Sequence, residues 1–517
     1  MAPDALPPLI RALLEPQLYP GAVPRVELLQ THGAWVLLAG EAAYKIKKPV
    51  RLSFMDFSTL ALRRAACEAE LRVNARCAPT PPQPPIYRAV LPIVGTPESP
   101  RWGQPGVDEG EAIEFAVQMH RFGEAARLDH LCLRGALQPE QLAQLGQRLA
   151  TWQAQAAVAP AEAPWGQPDT VWVVVHDNLQ ALEALLEPGD DPVLVQSLSD
   201  WTRAQWPTVS AALAERRRSG HVREGHGDLH LANLVLLAGE VLPFDAIEFN
   251  EALRWVDVAS DLAFTWMDLQ RLGQPGLAHT LLSAWMDASG DVGAPAVLPF
   301  FGVYLALVRA KVAAIARTQR SATDERAALQ AELCVYLQLA QRLAQPGAPQ
   351  LIITHGLSGS GKSFEAGRWL AAQGGSRALR LRSDVERKRL HGLAALQASA
   401  PSERERFYGP EASALTYASL RGRARDLLQA GWTVLVDAAF LRRAEREAFA
   451  ALARELGCPF AVLAPEAPLA VLRERIAARQ AAGTDPSEAT LAVLEQQLGW
   501  IEPLGADEPR LPWPPAP

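Results

Sequence analysis

Gly356-Leu357-Ser358-Gly359-Ser360-Gly361-Lys362-Ser363 sets three glycines, a lysine and hydroxyls within eight residues. Glycines let successive backbone N–H groups turn inward around a phosphate. The Lys362 ammonium can then reach β- and γ-phosphates, and the Ser363 hydroxyl can sit on Mg²⁺. Ahead of this loop, Leu351 to Ile353 is apolar and β-branched, as a buried strand requires. After it, a helix from Ser363 to about Ala372 would turn its positive end to the same anion. Strand, glycine loop and helix in this order form a cradle for the phosphates of a nucleoside triphosphate.

The residues beyond the loop supply groups for moving a phosphate. Asp384 and Arg387 stand at i, i+3 on a helix and share a face. There the carboxylate can take the proton of an acceptor hydroxyl while the guanidinium holds an anionic group. Equally, Asp384 can cap the helix and Arg387 can be a solvated charge. Thr433-Val-Leu-Val-Asp437 is a β-branched strand ending in a carboxylate, a position suited to a metal-bound water. Ala438 follows it where a motor ATPase needs a second acid, so slow hydrolysis or kinase chemistry fits better. Helix Ala470 to Ala478 carries Arg475 and Arg479 on one side and Arg473 on another, either as a lid over the transferring phosphate or as a solvated face. Strands at Leu379 to Asp384, Thr433 to Asp437 and Phe460 to Leu463 alternate with helices at Ala412 to Ala430 and Arg442 to Leu456, which predicts a parallel sheet.

A second set lies upstream. His226-Gly227-Asp228 is followed by Asn233 and, past a turn at Gly239, by Asp245, with short apolar strands on either side of the turn. Phosphoryl transfer with Mg²⁺ needs a carboxylate at the acceptor hydroxyl and an amide plus a carboxylate on the metal, and Asp228, Asn233 and Asp245 provide these types. The elements before them read as strands at Val26 to Leu29, Trp35 to Leu38 and Tyr44 to Ile46. A helix from Phe57 to Cys77 follows, with Ser58 as N-cap and Leu60, Leu62, Ala66, Leu71 and Val73 on its apolar side. Ile86 to Val94 and Ile113 to Met119 are extended, with Arg101 to Gly110 as their loop. From Gln138 the pattern turns helical through Leu142 to Gln155, Leu179 to Leu186 and Phe300 to Ala344.

The His226-Gly-Asp228-x4-Asn233 and Asp245 segments resemble the aminoglycoside phosphotransferase branch of the protein-kinase-like fold. That resemblance implies Asp228 as catalytic base, Asn233 and Asp245 as Mg²⁺ ligands, and Lys45 paired with Glu70 at the α- and β-phosphates. It implies that Asp261, in Trp255 to Phe264, braces the catalytic loop. Lys47 shares a strand face with Lys45, and Glu68 competes with Glu70. A G-x-G-x-x-G loop is missing, and Thr31 to Trp35 is a weak stand-in. The C-terminal part resembles the small P-loop kinases, including polynucleotide kinases, gluconate kinases and zeta-toxin-like proteins. It does so through Gly356 to Ser363, Asp384 with Arg387, and the helix bearing Arg479. The whole chain is similar to bacterial two-domain proteins labelled bifunctional aminoglycoside phosphotransferase/ATP-binding protein or AAA family ATPase. Ala43 to Pro49, Phe54 to Ser58, Arg382 to Arg387 and Val436 to Phe440 carry that likeness.

The expected architecture is therefore mixed α/β and α+β. A bilobal protein-kinase-like domain over 1–345 precedes the linker Gln345-Pro-Gly-Ala-Pro349, and a P-loop NTPase domain with a parallel sheet occupies 350–517. The cofactors expected are ATP and Mg²⁺, and the acceptor is a hydroxyl-bearing substrate. The alternative is a nucleotide-gated scaffold ATPase whose N-terminal half is inactive. Of 517 residues 49% are hydrophobic and 21% charged, a globular composition with length for two to four domains. A formal charge of -7 argues against a general nucleic-acid or anionic-membrane surface, and antibiotic, sugar, nucleic-acid end and protein side chain all stay open as acceptors. Five scattered cysteines lack metal-ligand spacing and disulfide pairing is not expected. With no signal-like N-terminus and no unbroken apolar run of membrane length, a cytoplasmic location is expected.

Overall fold

The computed structural model describes residues 6–52, 55–373, 377–395, 397, 409–482 and 489–512. Phe54 of the Phe54 to Ser58 stretch lies outside them. Helix α1 (Pro8–Ala12) leads into strands β1 (Val26–Gln30), β2 (Ala34–Ala39) and β3 (Ala42–Lys47). A ribbon of β4 (Arg51–Leu52) and β5 (Met55–Asp56) follows, then α2 (Leu60–Ala75), β6 (Tyr87–Thr96), β7 (Ser99–Trp102) and β8 (Glu114–His120). Next come α3 (Leu128–Leu133), α4 (Pro139–Gln155), α5 (Pro168–Ala184), α6 (Pro192–Arg218), β9 (Val222–Glu224), the hairpin of β10 (Leu234–Leu237) and β11 (Glu240–Pro243), α7 (Glu251–Arg254) and β12 (Trp255–Asp257). Helices α8 (Val258–Arg271), α9 (Pro275–Ser289), α10 (Ala294–Thr318) and α11 (Thr323–Ala344) reach the linker. Beyond it lie β13 (Leu351–Thr354), α12 (Lys362–Ala371), β14 (Ala378–Arg382), α13 (Ser383–Leu390), α14 (Pro410–Gln429), β15 (Thr433–Asp437), α15 (Arg443–Glu455), β16 (Phe460–Leu463), α16 (Leu469–Ala482) and α17 (Leu491–Leu498).

These elements form two compact units. The first comprises Met1–Leu137, Ala156–Gly166 and Gly220–Asp261. Its main sheet has six antiparallel strands in the order β1-β2-β3-β8-β6-β7. Alternation along β3 sends Tyr44 and Ile46 into a cluster with Leu37, Ile93 and Ala116, and turns Lys45 and Lys47 toward α2. Helix α2 starts later than its sequence pattern indicates. Thr59, not Ser58, is its N-cap, because the Ser58 hydroxyl donates to Asp56 at 2.6 Å. Its buried stripe is Arg63, Ala66, Cys67, Glu70, Val73 and Asn74, while Leu62 faces solvent. Charged residues occupy the core face because each has a buried partner, such as Arg63 with Glu114 at 2.8 Å. The Arg101 to Gly110 loop begins inside a strand: β7 pairs with β6 at the sheet edge.

The second unit comprises Gln138–Gln155, Gln167–Ser219 and Leu262–Pro517, so the helices on either side of the linker's N-terminal flank group with the residues after it. Gly146 of α4 lies against the α9 backbone; a Cβ there would fall 2.6 Å from the Leu281 carbonyl oxygen. Helix α10 has the length and composition to cross a membrane, but 67% of that span is buried and it packs on α5, α6 and α11 as a core helix. Its apolar character serves packing within this unit.

After the linker, four parallel strands lie in the order β14-β15-β13-β16. The largely apolar, fully buried β13 and β15 match burial on both faces at the centre of the sheet. Helices α9 and α10 supply part of that cover. The Ser283 hydroxyl accepts the Arg380 N–H of edge strand β14 at 3.2 Å, and the Trp432 indole N–H donates to the Pro295 carbonyl at 3.0 Å. Gly276 sits so close to α12 that a Cβ would fall 1.8 Å from the Ala371 carbonyl oxygen. Helix α13 begins at Ser383 with Arg382 as N-cap and no side chain capping it, so Asp384 is not the cap that its position allows.

Candidate active sites

In the first unit the Lys45 ammonium donates to Glu70 at 2.7 Å and pairs with Asp245. Glu70 also pairs with Lys47, so the choice between the two lysines resolves into both. Glu68 points outward and pairs with Arg64. Burial alone would lower the Lys45 ammonium, but Asp245 and Glu70 hold it well above its ordinary range. Burial would likewise raise Asp245, and the Lys45 charge and hydrogen bond keep it below the usual carboxylate range.

The catalytic-loop candidates assemble around His226. Its Nδ1 accepts the Asp228 N–H at 3.3 Å, so Nε2 carries the proton given to the Phe244 carbonyl at 2.9 Å. Burial pushes this imidazole below its ordinary pKa, consistent with the neutral tautomer. Asp261 accepts the N–H groups of His226 and Gly227, each at 2.8 Å, in the bracing position that the resemblance implies. Gly225 admits that carboxylate, since a Cβ would lie 2.3 Å from it. Gly227, at φ +84°, faces the Leu253 carbonyl. The Asn233 amide donates to the Asp228 carbonyl and carboxylate at 2.9 and 3.1 Å, which leaves Oδ1 for a metal. His230 stands 3.4 Å from the Asp228 carboxylate. Tyr87, Asn74 and Glu248 also hold the Asp245 segment, and only tertiary structure reveals them.

In the second unit, β13 and β15 are neighbours, so the loop after one and Asp437 at the end of the other meet at the carboxyl edge of the sheet. Ser363 Oγ donates to Asp437 Oδ1 at 3.2 Å. Gly356, Gly359 and Gly361 have φ of 144°, 82° and 93°, which only glycine adopts without strain. Lys362 Nζ donates to the Leu357 carbonyl at 2.7 Å, and burial pushes its pKa down to about 8 against the pull of Asp437 and Asp384. A cavity of about 580 Å³ is lined by Lys362, Ser363, Asp384, Arg387, Asp437 and Arg479, among others. Arg387 donates to Asp384 at 3.2 Å, and Arg475 to the Gly359 carbonyl at 3.3 Å. Arg473 turns away and pairs with Glu495 on the surface. Gln497 accepts the Ser358 N–H at 2.8 Å, a contact with no sequence signal.

Asp437 Oδ2 is buried without a hydrogen-bond partner among the described residues, as is Arg479 Nε. A carboxylate oxygen left so beside a serine hydroxyl fits Mg²⁺, which takes hard oxygen donors and retains water. Asn233 and Asp245 offer the same donor types in the first unit.

Residues 351–504 match the AAA domain family. Over 478 residues the chain is 26% identical to uncharacterized proteins of Mycobacterium bovis and Mycobacterium tuberculosis, covering 92% of this chain and 91% of theirs. Among solved structures it is similar to a choline/ethanolamine kinase family protein from Mesorhizobium loti, at 14% identity and a TM-score of 0.34, over 64% of this chain and 97% of that one. It is also similar to an amicoumacin kinase bound to AMP-PNP, at 13% identity and a TM-score of 0.40, over 64% and 92%. On its own strand order and site geometry, the chain joins a kinase-like N-terminal part to a C-terminal P-loop domain with a parallel sheet.

Proposed function

We propose that the chain is a cytoplasmic, ATP- and Mg²⁺-dependent phosphotransferase with two nucleotide sites, one in 1–345 and one in 350–517, each passing the γ-phosphate to a hydroxyl acceptor. The observation that carries this most is the pairing of Ser363 with Asp437 beneath Lys362, at the mouth of a cavity walled by Asp384, Arg387 and Arg479. In that cavity Lys362 and the loop N–H groups orient the phosphates, and Arg479 meets charge on the transferring group. Asp384, held by Arg387, receives the proton of the acceptor hydroxyl as its oxygen attacks phosphorus and the bond to the β-phosphate oxygen breaks. Asp228 has the same task in the N-terminal site, where Lys45, fixed by Glu70, meets the α- and β-phosphates. Mg²⁺, held by Ser363 and Asp437 or by Asn233 and Asp245, supplies charge neutralisation on the phosphates. Ala438 after Asp437 favours transfer over rapid hydrolysis.

Nucleotide stoichiometry tests this. Full-length protein is expected to bind two ATP, and Lys362→Ala or Asp245→Ala one each. If wild type binds one and either substitution abolishes it, a single composite site replaces the two. A metabolite-extract screen with γ-labelled ATP then identifies the acceptor.

A further inference from the structure

Residues 244–248 carry the candidate metal ligand Asp245 and belong to no helix or strand, yet each of them is held. The Phe244 N–H donates to the Asn233 carbonyl at 3.0 Å and its own carbonyl accepts from His226. The Asp245 N–H donates to the Tyr87 hydroxyl at 2.8 Å, and the Ala246 N–H to Asn74 Oδ1 at 3.1 Å. The Ile247 N–H donates to the His226 carbonyl and its carbonyl accepts from Arg254, both at 3.0 Å. The last residue, Glu248, pairs with Lys47. These bonds hold Asp245 at φ 62°, a left-handed conformation that needs its surroundings to sustain it.

Lys47 is 1% exposed, Glu70 0% and Glu248 7%, so neither end of the Lys47–Glu248 pair can swing into water without opening the site. The Phe57 ring lies 5.5 Å from the ammonium and closes it further. Lys47 is too enclosed to meet a substrate. Its two carboxylates come from different places, one on α2 and one at the end of the metal-binding segment. Lys45 is built alike, joining Glu70 to Asp245. Two ammonium groups against Glu70, Asp245 and Glu248 leave one negative charge in excess, in keeping with a site for a cation.

We infer that Lys47 and Glu248 are positioning residues that form a strut from β3 to the end of segment 244–248, locking Asp245 in its metal-binding pose before nucleotide or metal arrives. The role of Asp245 in this statement rests on the N-terminal nucleotide site proposed above. The strut acts through Asp245 and touches neither phosphate nor acceptor. With Lys45 on Asp245 and Lys47 on Glu248, the segment is tied to β3 at two points.

The test uses the full chain carrying Lys362→Ala, so that only the N-terminal site reports, with Glu248→Gln, Lys47→Met and their combination. Hydrogen exchange of the Asp245 and Ala246 amides in the metal-free, nucleotide-free protein is expected to rise about tenfold, with Leu37 and Val117 unchanged. ATP affinity with Mg²⁺ is expected to fall about tenfold, the scale of lost support to a metal ligand, and affinity in EDTA by less than about twofold. The double variant should lose no more than either single one. Unchanged exchange, an equal loss of affinity with and without Mg²⁺, or single effects that multiply in the double variant would each overturn the strut. If Lys47→Met does not fold, Glu248→Gln, which keeps the side-chain shape and an acceptor, decides alone. Absence of ATP binding in the Lys362→Ala parent would remove the N-terminal nucleotide site, and the exchange measurement would still decide the strut.

Discussion

Asp384 and Lys362 differ in what their removal should cost. Asp384→Asn keeps the shape and the hydrogen bond to Arg387 but cannot take a proton. Phosphotransfer in single-turnover experiments is expected to fall about 10²–10⁴-fold, with ATP binding nearly unchanged. Lys362→Ala removes a charge that interacts with the phosphates in the ground state and most strongly with the transferring phosphate, so ATP binding at that site should be lost and turnover there should drop by at least about 10²–10³-fold. An Asp384→Asn protein as active as wild type would rule out proton transfer to that carboxylate. The loop around Lys362 was readable because its groups are contiguous and each glycine has a local reason. The ion pair at Lys45 was only half readable. Glu70 is selected over Glu68 by helical phase, and the phase is set by Arg63, Cys67 and Glu70 facing the sheet. An apolar stripe alone misplaces it, since two of those three are charged.

Among the elements, α2, β9 and α7 are tied at Glu224. Its carboxylate accepts two hydrogen bonds from Arg72 at 2.8 Å each and one from Arg254 at 3.0 Å, while Arg76 lies 3.5 Å away. Burial would raise this carboxyl, but the arginines lower it from 4.5 to about 2. A folded-state pKa below the unfolded one stabilises at high pH. The contribution is complete above about pH 4.5 and is lost as pH falls toward about 2. Glu224→Gln should therefore cost about 3–5 kcal/mol at neutral pH, the scale for breaking a buried pair, and the gap to wild type should narrow as urea midpoints are taken toward about pH 3. A gap that stays constant with pH would exclude this ionic role. Strand β7 shows why element boundaries can hide. It carries Pro100, and an edge strand tolerates proline because one side of its backbone needs no partner. Similarly, Ser58 is a good cap by type, but Asp56 engages its hydroxyl and the helix begins one residue later.

Taken whole, the chain has a linker at Gln345 to Pro349 that reads as a boundary, whereas packing groups α9, α10 and α11 with the sheet that follows it. Sequence marks a linker by its prolines and glycine; it carries no mark for which surface a neighbouring helix covers. Expressed alone, 350–517 should expose the edge of β14 and the side of Trp432 that Pro295 and Trp266 now cover. Lower solubility and a lower Tm than the full chain are expected, with recovery on co-expression of 262–344. A fragment as stable as the whole would show that the cover from α8, α9 and α10 is dispensable. Within the intact chain, Ser283→Ala should cost about 1 kcal/mol through the orphaned Arg380 N–H.

The order in which that surface is made also matters. Helix α9 leaves the ribosome about a hundred residues before β14 does. The glycine at 276 that receives the Ala371 carbonyl is thus made before the helix α12 that packs on it. A circular permutant beginning at residue 350 reverses that order, and it is expected to give less soluble protein than the natural order when the two are expressed side by side.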